Sequence, residues 1–226
     1  MNTLEFTFSG EALTALPSGG LYWADADLLV VSDLHLGKSA RLSAVGGAQL
    51  PPYETRATLD RLNADLAWTG ATEVLCLGDS FDAPGLDQCL PEDDLLWLTR
   101  LQAGRRWTWM EGNHDPGPVA LGGAHRADLT RGPLTFRHIA AAAPRGEVSG
   151  HYHPKARVRL RGTTLSRPCF LMDAQRLILP AYGTYTGGLF SHDAALCALM
   201  GPEAQAILTG PRPMAMPMPR AGRASA

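Results

Sequence analysis

The sequence predicts an α/β protein in which buried strands alternate with helices, and three observations carry that expectation. Continuous apolar runs at Asp27-Leu28-Leu29-Val30-Val31-Ser32 and from Glu73 to Leu77 are short and bounded by polar residues, the pattern of strands covered on both faces. Between them, Pro52 to Trp68 repeats apolar residues at helical spacing, Leu59, Leu62 and Leu66, with charges on the intervening positions. After about residue 130 the helical spacing stops and strand-like runs succeed one another. Strands alternating with helices form a layered sheet, because each element must bury one apolar face against another layer.

Taken in order, Leu4 to Trp23 reads as short strands around the turn Pro17-Ser18-Gly19-Gly20. The run from Asp27 is the first buried strand, Pro52 to Trp68 a helix, and Glu73 to Leu77 the second strand. Pro91-Glu92-Asp93-Asp94 puts a proline and three acids where a helix starts, ahead of Leu95 to Leu101. Arg106 to Met110, rich in aromatic residues, is the third strand. The second half offers strands at Leu134 to His138, Glu147 to Ser149, Ala156 to Leu160, Cys169 to Met172 and Arg176 to Leu179. Residues 1–209 are expected to make one domain, since 226 residues with 45% hydrophobic content suffice for a single core. Gly210 to Ala226 mixes Pro, Met, Ala, Gly and Arg without periodicity and is expected to be a flexible tail.

Charge and cysteine usage exclude several classes. A net charge of −2 argues against a protein that coats nucleic acid through a globally basic surface, so any such contact must be local. Cys76, Cys89, Cys169 and Cys197 form no Cys-x-x-Cys pair, which removes a zinc knuckle and a disulfide framework. The N-terminal residues lack a basic start followed by an apolar run, and no stretch approaches ~18 uninterrupted apolar residues, so a cytoplasmic protein without a membrane anchor is expected.

Chemistry concentrates where the strands end. Asp33-Leu34-His35 follows the first strand, Gly78-Asp79 the second and Gly112-Asn113-His114-Asp115 the third; His138 and Gly150-His151-Tyr152-His153 follow two later ones. Ligands in layered α/β folds bind at the carboxyl ends of strands. Carboxylate, amide and imidazole groups without thiolates suit divalent manganese, iron or zinc. Residues two apart on an extended segment project to one side, so Asp33 with His35, and His151 with His153, each offer two side chains from one stretch. Capped turns account for any single cluster, but five successive elements ending this way point to one shared rim.

These blocks resemble the calcineurin-like metallophosphoesterase superfamily over about residues 27 to 154. Within it, Ser32-Asp33-Leu34-His35-Leu36-Gly37-Lys38, Leu77-Gly78-Asp79-Ser80-Phe81 and Pro180-Ala181-Tyr182-Gly183 are most similar to the bacterial DNA-ligase-associated metallophosphoesterases. The resemblance implies a four-layer αββα sandwich with mixed β-sheets and a centre for two divalent cations, manganese first, with iron or zinc as alternatives. It implies that Asp33, His35 and His153 hold one cation, that Asn113, His138 and His151 hold the other, and that Asp79 bridges them. It further implies a catalytic role for His114 at the leaving oxygen, with Asp115 orienting its imidazole, and a supporting place for Asp82. The activity implied is hydrolysis of phosphodiesters in single-stranded DNA, in a repair setting with functional association to a DNA ligase and a helicase.

The superfamily often has glycine after its single late histidine, whereas this chain reads Phe136-Arg137-His138-Ile139. His138 is preferred to His125 and His192 because it closes a strand-like run. Lys38 and Arg41, just past the first block, are candidates for substrate phosphate, with ordinary loop charges the competing account. Arg157, Arg159 and Arg161 alternate on one face of a strand beginning near His153, either as a solvated face or as a stripe that follows a nucleic-acid backbone. Two other functions compete: a phosphatase or phosphodiesterase acting on small nucleotides, and a scaffold that has kept the fold without the chemistry.

Overall fold

The computed structural model describes residues 1–44, 46, 51–142, 145–160 and 162–220. In chain order, β1 (Leu4–Phe8), β2 (Glu11–Ala15), β3 (Leu21–Trp23) and β4 (Leu28–Val31) run antiparallel to one another. Helices α1 (Lys38–Ala44) and α2 (Glu54–Thr69) lead to β5 (Glu73–Cys76), and α3 (Glu92–Gln102) leads to β6 (Arg106–Met110) and β7 (Ala124–Arg126). From β4 to β7 the pairing is parallel, so those strands point their carboxyl ends one way. The seven strands form one sheet in sequence order.

A second sheet takes β8 (Asp128–Arg131), β9 (Leu134–Arg137), β10 (Glu147–Ser149), β12 (Thr163–Met172), β13 (Arg176–Ile178), β14 (Gln205–Leu208) and β15 (Met214–Pro217), while β11 (Lys155–Leu160) pairs with the first half of β12. Its central pairs, β9 with β10 and β10 with β13, are parallel, and the flanking ones antiparallel. Both sheets are therefore mixed.

Alternation along the strands builds three cores. Leu29, Val31, Val74, Cys76, Trp107 and Trp109 meet Leu59, Leu62 and Leu66 of α2 and Leu98 and Leu101 of α3. Leu28, Val30, Leu75 and Met110, one residue out of phase, face Phe136, Val148, Phe170 and Leu177 of the second sheet. The far side of that sheet, with Cys169, Leu171, Ile178 and Ala206, packs under Leu196 of α4 (Ala194–Leu199). Helices, sheet, sheet and helix make the four layers of an αββα sandwich, and each fully buried Leu or Phe contributes about 1.5–3 kcal/mol.

Strands β1 to β6 and β9 to β13 and the two longer helices fall where the apolar patterns put them. Helices α1 and α4 and strands β7, β8, β14 and β15 were not anticipated. One expectation is corrected: Met214–Pro217, within the stretch read as a loose tail, adds an edge strand to β14. Four register pairs and the burial of Met218, 5% exposed in the outer core, hold it there. Its residues face mostly solvent, so no apolar alternation marks it. Replacing Met218 with Ala is expected to cost ~2 kcal/mol in urea unfolding, whereas a loose tail would leave the midpoint unchanged within ~0.5 kcal/mol.

Candidate metal centre

Five strand ends converge on one rim. β4 delivers Asp33 and His35, β5 delivers Asp79 and Asp82, and β6 delivers Asn113 and His114. From the second sheet, β9 delivers His138 and β10 delivers His151 and His153. Backbone hydrogen bonds lock the turns together: Asp33 N donates to Gly78 O (3.2 Å), His35 N to Asp79 O (2.9 Å) and Gly150 N to His138 O (3.0 Å).

Three overlapping sets of side chains could each hold a cation, with ligand atoms within 4.8 Å of one another: Asp33, His35 and His153; His35, Asp79 and His114; Asp79, His138 and His151. Asp79 belongs to two of them. Its Oδ2 lies 3.4 Å from His138 Nε2 and 4.0 Å from His35 Nε2. Asp33 Oδ1 lies 3.2 Å from His153 Nε2. Asn113 Oδ1 is 3.0 Å from His138 Nε2, which places the amide beside the third set.

The outer partners decide where the imidazole protons sit. His35 Nδ1 faces Asp82 Oδ1 at 2.9 Å, and His138 Nδ1 faces the Leu77 carbonyl at 2.7 Å, so both rings carry their proton on Nδ1 and turn the Nε2 lone pair inward. His35 Nε2 then lies 3.4 Å from His153 Nε2, and His138 Nε2 lies 3.2 Å from His151 Nδ1. Lone pairs and carboxylate oxygens directed at one another repel unless a cation lies among them. The donor set fits divalent manganese, iron or zinc.

The backbone is bent to reach this arrangement. Asp33, His35, Asp79, His151 and His153 all have positive φ, from 46° to 71°, a region disfavoured for residues with a Cβ. The two-residue spacing therefore works through left-handed turns, not through the extended pleat that the sequence suggested. Strain of this kind costs about 1–3 kcal/mol per residue and concentrates at functional sites. Gly150 admits the approach of the two sheets, since a Cβ there would overlap Ser32 Oγ and come within 2.6 Å of Asp33 Oδ2.

Electrostatics follow from the same contacts. Burial alone would raise the Asp33 carboxyl, but His153, His138 and the Ser32 hydroxyl, at 2.5 Å, hold it below its usual value. Burial likewise opposes ionisation of Asp79, yet His138 and the His114 backbone N–H bring it down to about 2. Burial lowers His151, and the neighbouring His138 charge adds to that. His138 rises in spite of burial, because Asp79 and Asp33 favour its protonated form.

One residue differs from its expected role. Asp115 does not orient the His114 ring: its buried carboxylate accepts from the backbone N–H groups of Asp79 (2.9 Å), Ser80 (2.7 Å) and Phe81 (3.2 Å), shaping the turn that carries Asp79. Burial pushes it up to about 6, against the pull of those donors. The ring of His114 is held instead by the Asp82 carbonyl, 2.9 Å from Nδ1. Lys38 and Arg41 both reach Asp82, at 3.7 and 2.5 Å, and so brace the carboxylate that holds His35.

Arg157 and Arg159 lie exposed on β11, outside the three ligand sets, and Arg161 falls outside the described residues. His125 on β7 and His192 beside Phe190 also lie outside those sets. Sequence reasoning missed Asp65, a buried carboxylate that accepts from Tyr182 OH (2.7 Å) and Ser18 Oγ (2.6 Å). Tyr182 N in turn donates to Ser32 O and Gly183 N to Asp33 O, which ties this network to the first ligand turn. A buried acid within an amphipathic helix was the available signal.

Among solved structures the chain is similar to a nuclease from Pseudomonas putida, nuclease MPE, with 27% identity and a TM-score of 0.70. The match covers 94% of this chain and 100% of that one. No protein-family model matches the chain, and no curated protein sequence does.

If the rim is a cation site, manganese added to chelator-treated protein raises Tm, with ~2.7 kcal/mol of stabilisation at about a hundred times Kd. The Asp79→Asn variant should lose most of that shift, and an unchanged wild-type Tm would rule the site out. Asp82→Asn, which removes the carboxylate from His35 Nδ1, should weaken manganese binding about 10–100-fold by calorimetry; unchanged affinity would deny Asp82 a part in the site.

Proposed function

We propose that this chain is a two-metal phosphodiesterase, an endonuclease acting on single-stranded DNA. The observation that carries the reading is that Asp79 stands between the set of His138 and His151 and, through His35 at 4.0 Å, the set of Asp33 and His153, where the strand ends of two sheets meet. Similarity to a nuclease along the full length of that protein supports nucleic acid as the substrate class. In this reading Asp33, His35 and His153 would hold one cation, Asn113, His138 and His151 the other, and Asp79 both. Manganese is the preferred metal, with iron or zinc compatible with the donors.

Two bound cations would supply acidification of a water and neutralisation of charge on the phosphoryl oxygens. The chain's own groups do the rest. His114 carries its Nδ1 proton toward the Asp82 carbonyl; when protonated, its Nε2–H can donate to the leaving oxygen as the ester bond breaks. Asp115 fixes the turn of Asp79, and Asp82 fixes His35, so the donors are placed before substrate arrives. The repair setting and the association with a DNA ligase and helicase belong to this proposal through the resemblance in the sequence, and a cytoplasmic location belongs to it through the lack of a basic start followed by an apolar run in the N-terminal residues. No helix among the described residues is long and apolar enough to cross a membrane.

The test is a manganese-dependent assay on single-stranded circular DNA, duplex DNA and mononucleotides. Nicking of the single-stranded circle is expected to exceed turnover of the other two; preference for mononucleotides would move the protein to small-molecule phosphatases. His114→Ala should lose about 10²–10⁴ in rate while keeping its metal. His138→Ala should lose both activity and one metal equivalent, and an active variant with full metal content would refute its assignment.

A further inference from the structure

Two segments leave the candidate metal centre side by side. Leu189 N donates to Tyr152 O (3.2 Å), Lys155 N to Leu189 O (2.8 Å) and Ser191 N to Lys155 O (2.7 Å), so residues 189–191 run along the start of β11. A Cβ on Gly188 would overlap the carbonyl oxygen of His153, which places this segment against the backbone of a candidate ligand. Along β11, Ala156 and Val158 enter the outer core, and Lys155, Arg157 and Arg159 take the opposite face. The register sets Ser166 opposite Arg157 and Thr164 opposite Arg159, adding hydroxyls to that face.

Phe190 organises the cations. Arg157 Cζ lies 4.1 Å and Lys155 Nζ 5.3 Å from its ring centroid. His192 stacks on the same ring at 5.4 Å, with the planes 10° apart. Lys155, Arg157 and Arg159 have no carboxylate partner among the described residues, unlike Lys38 and Arg41 beside the candidate metal centre, which both pair with Asp82. Three like charges on one strand face repel one another and favour an arriving polyanion. Their repeat of about 6.7 Å, two residues of strand, follows a strand of successive phosphates. The guanidinium and imidazole planes offer stacking surfaces to unpaired bases, which a duplex keeps covered.

We infer that the exposed face of β11, together with Phe190 and His192, is a docking strip for the nucleotides flanking the cut in a single-stranded nucleic acid. The inference rests on the phosphodiesterase reading above and adds where the polymer lies.

The experiment compares wild type with Arg157→Gln/Arg159→Gln and Arg157→Glu/Arg159→Glu. Binding of a labelled oligo-dT to metal-free protein is followed by anisotropy across a salt series, and manganese-dependent hydrolysis of bis(p-nitrophenyl) phosphate is followed separately. The Gln pair should weaken oligonucleotide binding at least about tenfold and flatten the dependence of log K on log salt by about 1.4, the loss of two phosphate contacts. The Glu pair should weaken binding further, and aryl diester turnover should stay within about twofold for both, since neither arginine belongs to the ligand sets. Unchanged affinity and salt slope, tighter wild-type binding to a duplex of the same length, or an equal loss on both substrates would overturn the inference. A wild type that turns over no diester with manganese would instead overturn the phosphodiesterase reading, and the oligonucleotide binding would still decide the strip.

Discussion

The structure depends on one constraint: acidic oxygens and imidazole lone pairs, nearly all withdrawn from solvent, are aimed at the same small volume. Asp33 is fully buried, and Asp79, His35 and His138 are almost so. Removing several ionisable groups from water is unfavourable unless each finds a charge partner. Hydrogen bonds from Ser32 and from the backbone N–H of His151 relieve Asp33, and the N–H of His114 relieves Asp79. The inward-facing nitrogens of His35 and His138 lie 3.4 Å from His153 Nε2 and 3.2 Å from His151 Nδ1, and a cation among them would satisfy these donors together.

Much of the surrounding fold reads as the means of holding that unfavourable arrangement. Left-handed turns at Asp33, His35, Asp79, His151 and His153 would relax if their flanks were loose. They are flanked by strands buried on both faces, by the Asp115 carboxylate beneath the Asp79 turn, and by the Tyr182 and Asp65 pair behind the Asp33 turn. The four layers position the site because the two sheets bring candidate ligands from β4, β5 and β6 against candidate ligands from β9 and β10. Neither sheet holds the set alone.

The buried strands were legible because a strand covered on both faces has to be written as a continuous apolar run. Asp33-x-His35 and His151-x-His153 were legible as paired side chains, although the geometry that pairs them is a left-handed turn that no spacing rule specifies. Asp115 was misread because adjacency to His114 in sequence suggested contact, whereas the carboxylate turns away to three backbone amides. Strand β15 left no trace because an edge strand with mostly exposed residues needs only backbone pairing. The role of Asp65 depends on Tyr182, 117 residues away, and such a partnership exists only after folding.

The most direct measurement of the central claim is anomalous scattering from crystals grown with manganese. The account predicts two peaks a few ångströms apart, both within coordination distance of Asp79, one beside Asp33, His35 and His153 and one beside Asn113, His138 and His151. Crystals without a peak among these residues, or with manganese bound elsewhere while the imidazoles remain packed on one another, would contradict it.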